Sequence, residues 1–138
     1  MIRFAALAVA ASLSFACAGQ AQQAYRSINY HYVVPLNANS MEVVERADSG
    51  VRDVWCAAAD YVRRVLGDPR RARLYLIAPS GPARTAQGRR GTSFTISAEA
   101  AGNPSPSYSA SLRTVGTNLS VAAAWNYCRD TLDERFGF

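Results

Sequence analysis

The chain contains no lysine, a single histidine (His31), only three cysteines, and one long hydrophobic run, which opens it. With one histidine, two cysteines expected to pair with each other and no clustered acids, a zinc site lacks ligands. A serine–histidine–acid triad would have to use His31, and no serine stands in the strained Gly-x-Ser-x-Gly turn that presents a nucleophile. Gly81-Pro82 and Gly88-Arg89-Arg90-Gly91 match neither a P-loop nor a dinucleotide fingerprint, so no phosphate-cradling loop is written locally. No cofactor is implied.

The opening run has its own layout. Arg3 gives one positive charge, residues 4–15 are apolar except Ser12 and Ser14, and small residues follow through Ala18 and Ala21. A basic start, a short apolar core and an Ala-x-Ala-like site describe a secretory signal peptide. The core is about a dozen residues where a bilayer span needs about 20. The expectation is a signal over residues 1–21, cleaved after Ala18 or Ala21, and a single domain over 22–138 with no transmembrane span. Cys17 opens the alternative of an acylated lipoprotein, although Ser14 stands where such signals carry leucine. The expected location is periplasmic or secreted.

About half of the residues are hydrophobic, the composition of a folded globule. All 15 basic residues are arginine against 10 acids, a net charge of +5. Eight of those arginines and one acid, Asp68, fall within residues 63–90. Arg70, Arg71 and Arg73, then Arg84, Arg89 and Arg90, flank one strand and its loop. Guanidinium forks bind phosphate and carboxylate bidentately, so these six are candidate ligands for an anionic envelope lipid or cell-wall polymer. The alternative is a set of solvated loop arginines. Aromatics are not interleaved with them, so nucleic acid is not an expected partner.

Alternation of apolar and polar residues marks strands over residues 28–34, 41–45, 73–78, 92–98 and 108–112. The second of these is nearly as good a helical turn. A helix starts near Gly50, capped by Asp48 or Ser49, with Val51, Trp55, Ala58, Val62 and Val65 on one stripe and Asp60 paired to Arg64. Gly67 stops it. A closing helix follows the turn at Gly116-Thr117-Asn118, presenting Val121, Trp125, Cys128, Leu132 and Phe136. Strands that do not alternate regularly with helices exclude a doubly wound fold. The fold class is α+β: a short antiparallel sheet of four or five strands with two amphipathic helices on one face.

With the signal removed, Cys56 and Cys128 remain, one on each helix, and in an exported protein two leftover thiols pair. Cys56 lies about 140° from Val51 around its helix, on the flank of the stripe. A bridge would therefore draw the closing helix against the side of the first. The spacing is not Cys-x-x-Cys, so the role is structural.

Trp55-Cys56-Ala57-Ala58-Ala59-Asp60-Tyr61, Arg73-Leu74-Tyr75-Leu76 and Phe94-Thr95-Ile96 together resemble small exported proteins of alphaproteobacteria, over about residues 41–128. The resemblance implies an envelope location and carries no catalytic residue across.

His31 reads as a neutral or solvent-facing strand histidine, and Asp53 and Asp60 as solvated partners of helix arginines. Tyr25, Tyr30, Tyr32, Tyr75 and Tyr108 read as half-buried strand residues. The functional expectation is a non-enzymatic envelope protein with a structural or binding role. Two rivals stand beside it: a small hydrolase with polar groups converging around His31, Asp53 or Asp60, and a subunit whose apolar face a protein partner completes.

Overall fold

The computed structural model describes residues 23–67 and 71–137. The expected signal segment, Asp68 and Arg70 lie outside the described residues. Six strands form one antiparallel sheet: β1 Tyr25–Arg26, β2 Tyr32–Pro35, β3 Ser40–Val44, β4 Arg73–Pro82, β5 Arg90–Thr95 and β6 Asn118–Ser120, in the order β1-β2-β3-β5-β4-β6. Helix α1 spans Val51–Arg64 and α2 spans Val121–Phe136. The fold is α+β, with both helices packed against the sheet.

Cross-strand pairing fixes which residues share a face. Met41 opposes Phe94, and Val43 opposes Thr92, while Leu76 opposes Phe94 from the other side. These side chains meet the helices, and Phe94 takes the Trp55 ring edge-on at 4.8 Å between centroids. The alternate positions (Ser40, Glu42, Ser93 and Thr95) line the reverse face and are also buried.

Helix α1 runs between sheet and α2, so its middle is buried on every side, from Val54 through Val62. The expected stripe therefore describes only one of its two contacts. Trp55, Ala58 and Val62 are buried, whereas the ends of the stripe, Val51 and Val65, are exposed. The three alanines Ala57, Ala58 and Ala59 are buried and keep α1 slim where its neighbours close around it. Cys56 and Cys128 are joined by a disulfide with their Cα atoms 4.9 Å apart, on the flank that the helical wheel indicates. On α2 the buried set is Val121, Ala124 and Cys128; Trp125 is half-buried beneath the Arg63 guanidinium and Phe136 is exposed.

Several expectations are corrected. Residues 28–34 are not one strand: β1 and β2 form a hairpin closed by Ser27 N–H to His31 C=O (2.8 Å), with Tyr30 N–H to Ser27 C=O (2.8 Å) inside it. Tyr30 has φ +66°, the left-handed third position of a three-residue hairpin loop, where glycine or asparagine is usual. Residues 108–112 form no strand. Tyr108 is fully exposed, and the segment is held by single bonds, Ser80 N–H to Leu112 C=O (2.8 Å) and the Trp55 indole N–H to Ser111 C=O (3.2 Å). The sheet instead recruits Asn118–Ser120 as β6, which pairs with β4. Two short edge strands thus bring the count to six.

Asp60 is also corrected. It forms the expected ion pair with Arg64 at 3.0 Å, but it is completely buried. Its second oxygen accepts from the Tyr25 hydroxyl (2.7 Å) and the Ile28 amide (2.8 Å), tying the N-terminal hairpin to α1. Burial and that hydrogen bond push the Tyr25 hydroxyl pKa well up. No helix among the described residues is long and apolar enough to cross a membrane.

Candidate functional site

The end of the molecule at which α1 begins carries the convergent polar groups. Gly50 is the N-cap of α1 and contributes no side chain; Asp53, one turn in, accepts the Gly50 N–H at 2.8 Å. Ser49 is therefore released from the capping role that its position suggests. Its hydroxyl oxygen accepts the Arg46 amide at 2.9 Å and lies 2.6 Å from His31 Nε2.

His31 follows the left-handed Tyr30, and that turn rotates it inward instead of to solvent. It is 3% exposed, with Nδ1 3.3 Å from the Asn29 carbonyl oxygen. The neighbouring turn residues are equally pinned: His31 N–H donates to Ser27 Oγ (2.9 Å) and the Asn29 side-chain amide to Asp53 C=O (2.8 Å). Burial holds the His31 pKa below the usual imidazole value, with Asp53 opposing that shift. His31, Ser49, Arg46, Asp48 and Asp53 line a cavity of about 220 Å³, with Glu134 and Arg135 of α2 on its far side. His31 and Asp53 are thus brought together. Asp60 is not, and lines a separate cavity of about 200 Å³ with Arg63, Arg64 and Trp125.

Ser49 is shared with a second and larger cavity, of about 470 Å³. Arg90 and Arg113 line it together with Ser80, Ser111 and Glu45, and Val51, Ala110 and Leu112 give it an apolar wall. Arg90 Nη2 donates to Ser80 Oγ at 3.0 Å, while Glu45 accepts from the Thr92 hydroxyl at 2.6 Å. The Arg113 guanidinium has no ion pair or hydrogen bond among the described residues.

The candidate arginines separate into two groups. Arg84 and Arg89 belong to the loop joining β4 and β5 and Arg90 opens β5, at the cavity end; Arg89 Nη2 donates to Glu45 C=O at 3.2 Å, and the Arg84 amide donates to the buried Glu42 carboxylate at 2.8 Å. Arg71 and Arg73 stand at the opposite end of β4, where Arg73 Nε donates to Asn118 Oδ1 at 3.0 Å. A ten-residue strand separates the groups by about 25–30 Å. Arg70 lies outside the described residues.

Sequence reasoning missed Arg113 and Ser49. Arg113 is one arginine in a serine- and threonine-rich stretch, and only the irregular path of that loop past Trp55 brings it to Arg90. Ser49 carried a signal, as a polar residue before a helix, but that signal pointed to capping. Of the tyrosines, Tyr25 is bonded to Asp60, Tyr75 is buried, Tyr30 lies between the guanidinium groups of Arg26 and Arg135 (5.0 and 4.7 Å), and none lines the larger cavity. Among the described residues no group of three histidine, cysteine or acidic side chains is placed to hold a metal ion. No family model matches the chain, and neither a curated protein nor a solved structure matches it.

Proposed function

We propose that this is an exported envelope protein that binds an anionic component, a phosphate- or carboxylate-bearing lipid or cell-wall fragment, in the cavity between Arg90 and Arg113. The observation that carries this reading is the pairing of those two arginines, from distant parts of the chain, across one cleft with an apolar wall. Neither guanidinium forms an ion pair among the described residues, and Glu45, which lines the same cleft, is engaged by the Thr92 hydroxyl, so the arginines keep donors for an incoming oxyanion. The apolar wall of Val51, Ala110 and Leu112 suits a ligand with a hydrocarbon portion. The disulfide supports the oxidising compartment that the expected signal peptide implies. Arg71 and Arg73 have no part in this reading.

Sedimentation with phosphatidylglycerol and phosphatidylcholine vesicles, and titration with muropeptides, separate the two sources of the anion. Binding to one anionic partner is expected at low ionic strength and should weaken steeply with added salt. The R90Q/R113Q double variant should lose at least about tenfold in affinity, the scale of one charge-assisted contact. R71Q/R73Q should bind as the parent does. Equal binding by parent and R90Q/R113Q would sink the reading.

A further inference from the structure

We infer that Ser49 is a nucleophile with His31 as its general base, and that the protein hydrolyses an ester whose anionic group rests between Arg90 and Arg113. Only the choice of substrate rests on the binding reading; the nucleophile has its own support.

Hydrogen-bond roles around the pair follow from what each partner is able to do. The Asn29 carbonyl can only accept, so His31 Nδ1 carries the proton and Nε2 presents a lone pair. The Arg46 amide can only donate, so Ser49 Oγ accepts it and turns its own hydrogen to Nε2, 2.6 Å away. This is the serine–imidazole relation of acyl hydrolases, with a backbone carbonyl in the place usually held by the orienting acid. The ring is buried and held through both nitrogens, so its orientation is set before a substrate arrives. Asp48 and Asp53 line the same cavity, where their charge stabilises an imidazolium when one forms.

The hydroxyl is also accessible, because Ser49 borders both cavities, with His31 on one side and the two arginines on the other. Immediately after it α1 begins, and its N-cap, Gly50, offers no side chain to the first-turn amides. As first-turn amides, the Val51 and Arg52 N–H groups have no acceptor within the helix and no side-chain cap, so they can donate to an oxyanion.

Ser49 Oγ attacks the acyl carbon while Nε2 takes its proton, giving a tetrahedral oxyanion. Collapse breaks the ester C–O bond, and the His31 Nε2–H protonates the departing alcohol. Water, deprotonated by the neutral ring, then attacks the acyl-Ser49 carbonyl; the acid leaves and Ser49 regains its hydrogen. One ester and one water become one acid and one alcohol, with no other reactant.

A serine that only braced the turn from Arg46 to Ser49 would not react with an electrophile, and that distinguishes the two roles. The intact protein, with its disulfide, is treated with a neutral fluorophosphonate and examined by mass spectrometry. One phosphonyl group on Ser49 is expected, absent in S49A and formed at least about 100-fold more slowly in H31Q. Folded parent protein that stays unlabelled, or that is labelled elsewhere, overturns the assignment. Hydrolysis of the p-nitrophenyl monoester of glutaric acid is then compared with that of the neutral butyrate ester. The parent should prefer the anionic ester about tenfold, and R90Q/R113Q should lose that preference. Labelling with no anionic preference would retain the nucleophile and reject the arginine cleft. Vesicle or muropeptide binding without labelling would do the reverse.

Discussion

Between the sheet and its helices, Met41, Val43, Leu76 and Phe94 share one core with Trp55, all of them without solvent exposure. On the reverse face of the same strands, Glu42, Ser93 and Thr95 are at most 1% exposed, and every one is polar. The β1–β2 hairpin repeats the second pattern with buried Ser27, Asn29 and His31. The apolar layer is stabilised by area and shape, and neither has a direction. The polar regions have already given up hydration, so each group needs a particular partner in a particular place. Glu42 finds the amides of Arg84 (2.8 Å) and Thr85 (2.9 Å) and the Thr85 hydroxyl, and so folds the β4–β5 loop over the sheet. Ser93 Oγ finds none among the described residues. Both parts of the candidate site hang from the polar regions: His31 from the hairpin, and Arg90 from the start of β5, where the loop that Glu42 holds ends. The apolar layer fixes the fold, and the polar regions place the chemistry on it.

The largest expected effect lies in the apolar layer. Cys56 and Cys128 close a loop of 72 residues, which in the chain-entropy account stabilises by about 4 kcal/mol. That is a large share of the stability of a domain this small. C56S/C128S should fall by about that amount in urea titration, and reductant should have no further effect on it. Because α1 carries both the buried stripe and the Ser49 end, fluorescence of the buried Trp55 and fluorophosphonate labelling should be lost at one urea concentration. Labelling lost well before the tryptophan signal would show that the polar regions unfold on their own, and the comparison would become one of two separate units.

A smaller effect tests the claim that the reverse face depends on particular partners. Gly91 lies beneath the Glu42 carboxyl, and a Cβ there would stand 2.9 Å from Glu42 Cδ and 3.1 Å from the Ala83 Cβ. Since Glu42 is pinned by three hydrogen bonds, it is unable to step aside cheaply. G91A should cost about 1–3 kcal/mol by overpacking, and E42A about 2 kcal/mol through the stranded amides. In a double-mutant cycle the two should fall short of additivity by at least about 0.5 kcal/mol, since removing the carboxyl relieves most of the clash. Strict additivity would mean that carboxyl and glycine are not in contact, and that this face tolerates volume as the helix side does.

The same division explains what could be read from the sequence. The apolar layer was legible: β3, β4 and β5 from alternation and α1 and α2 from helical periodicity, while the cysteine pairing came from the count of thiols left in an exported chain and only its direction from the helical wheel. These signals are local, because a face buried by area repeats along its own element. The polar regions were not legible. Asn29 and His31 share an alternating pattern with Tyr30 and Tyr32, and nothing nearby reveals that Tyr30 turns left-handed and tips His31 inward. Asp60 looks like a helix-surface acid because Arg64 is four residues on, yet the hairpin that buries it comes from 32 residues upstream. The alternation over 108–112 is real, but the segment meets β4 through one backbone hydrogen bond, Ser80 N–H to Leu112 C=O, and Asn118–Ser120 takes the ladder with Arg73–Tyr75. Arg113 and Ser49 acquire their neighbours only through loops, and partners that are particular and distant leave no period to detect.

The third effect is confined to the hairpin and is read from pH. In the unfolded chain His31 titrates near 6.5, whereas burial lowers that value in the folded protein. Between the two values the unfolded chain binds more protons, so stability is complete above about pH 6.5 and drains away as pH falls towards the folded value. The slope from one proton is at most about 1.4 kcal/mol per pH unit. The groups facing the ring are Asp53 and Asp48, which favour its protonation, Arg46, which opposes it, and Glu134 and Arg135 across the cavity. Urea midpoints at pH 7.5, 6.5 and 5.5 should therefore decline for the parent and stay level for H31Q, while a substitution in the apolar layer, such as V62A, should lower all three equally. A decline that persists in H31Q would place the acid sensitivity elsewhere. Acid sensitivity that follows His31 alone would show that a buried polar group sets a condition on stability that a buried methyl group does not.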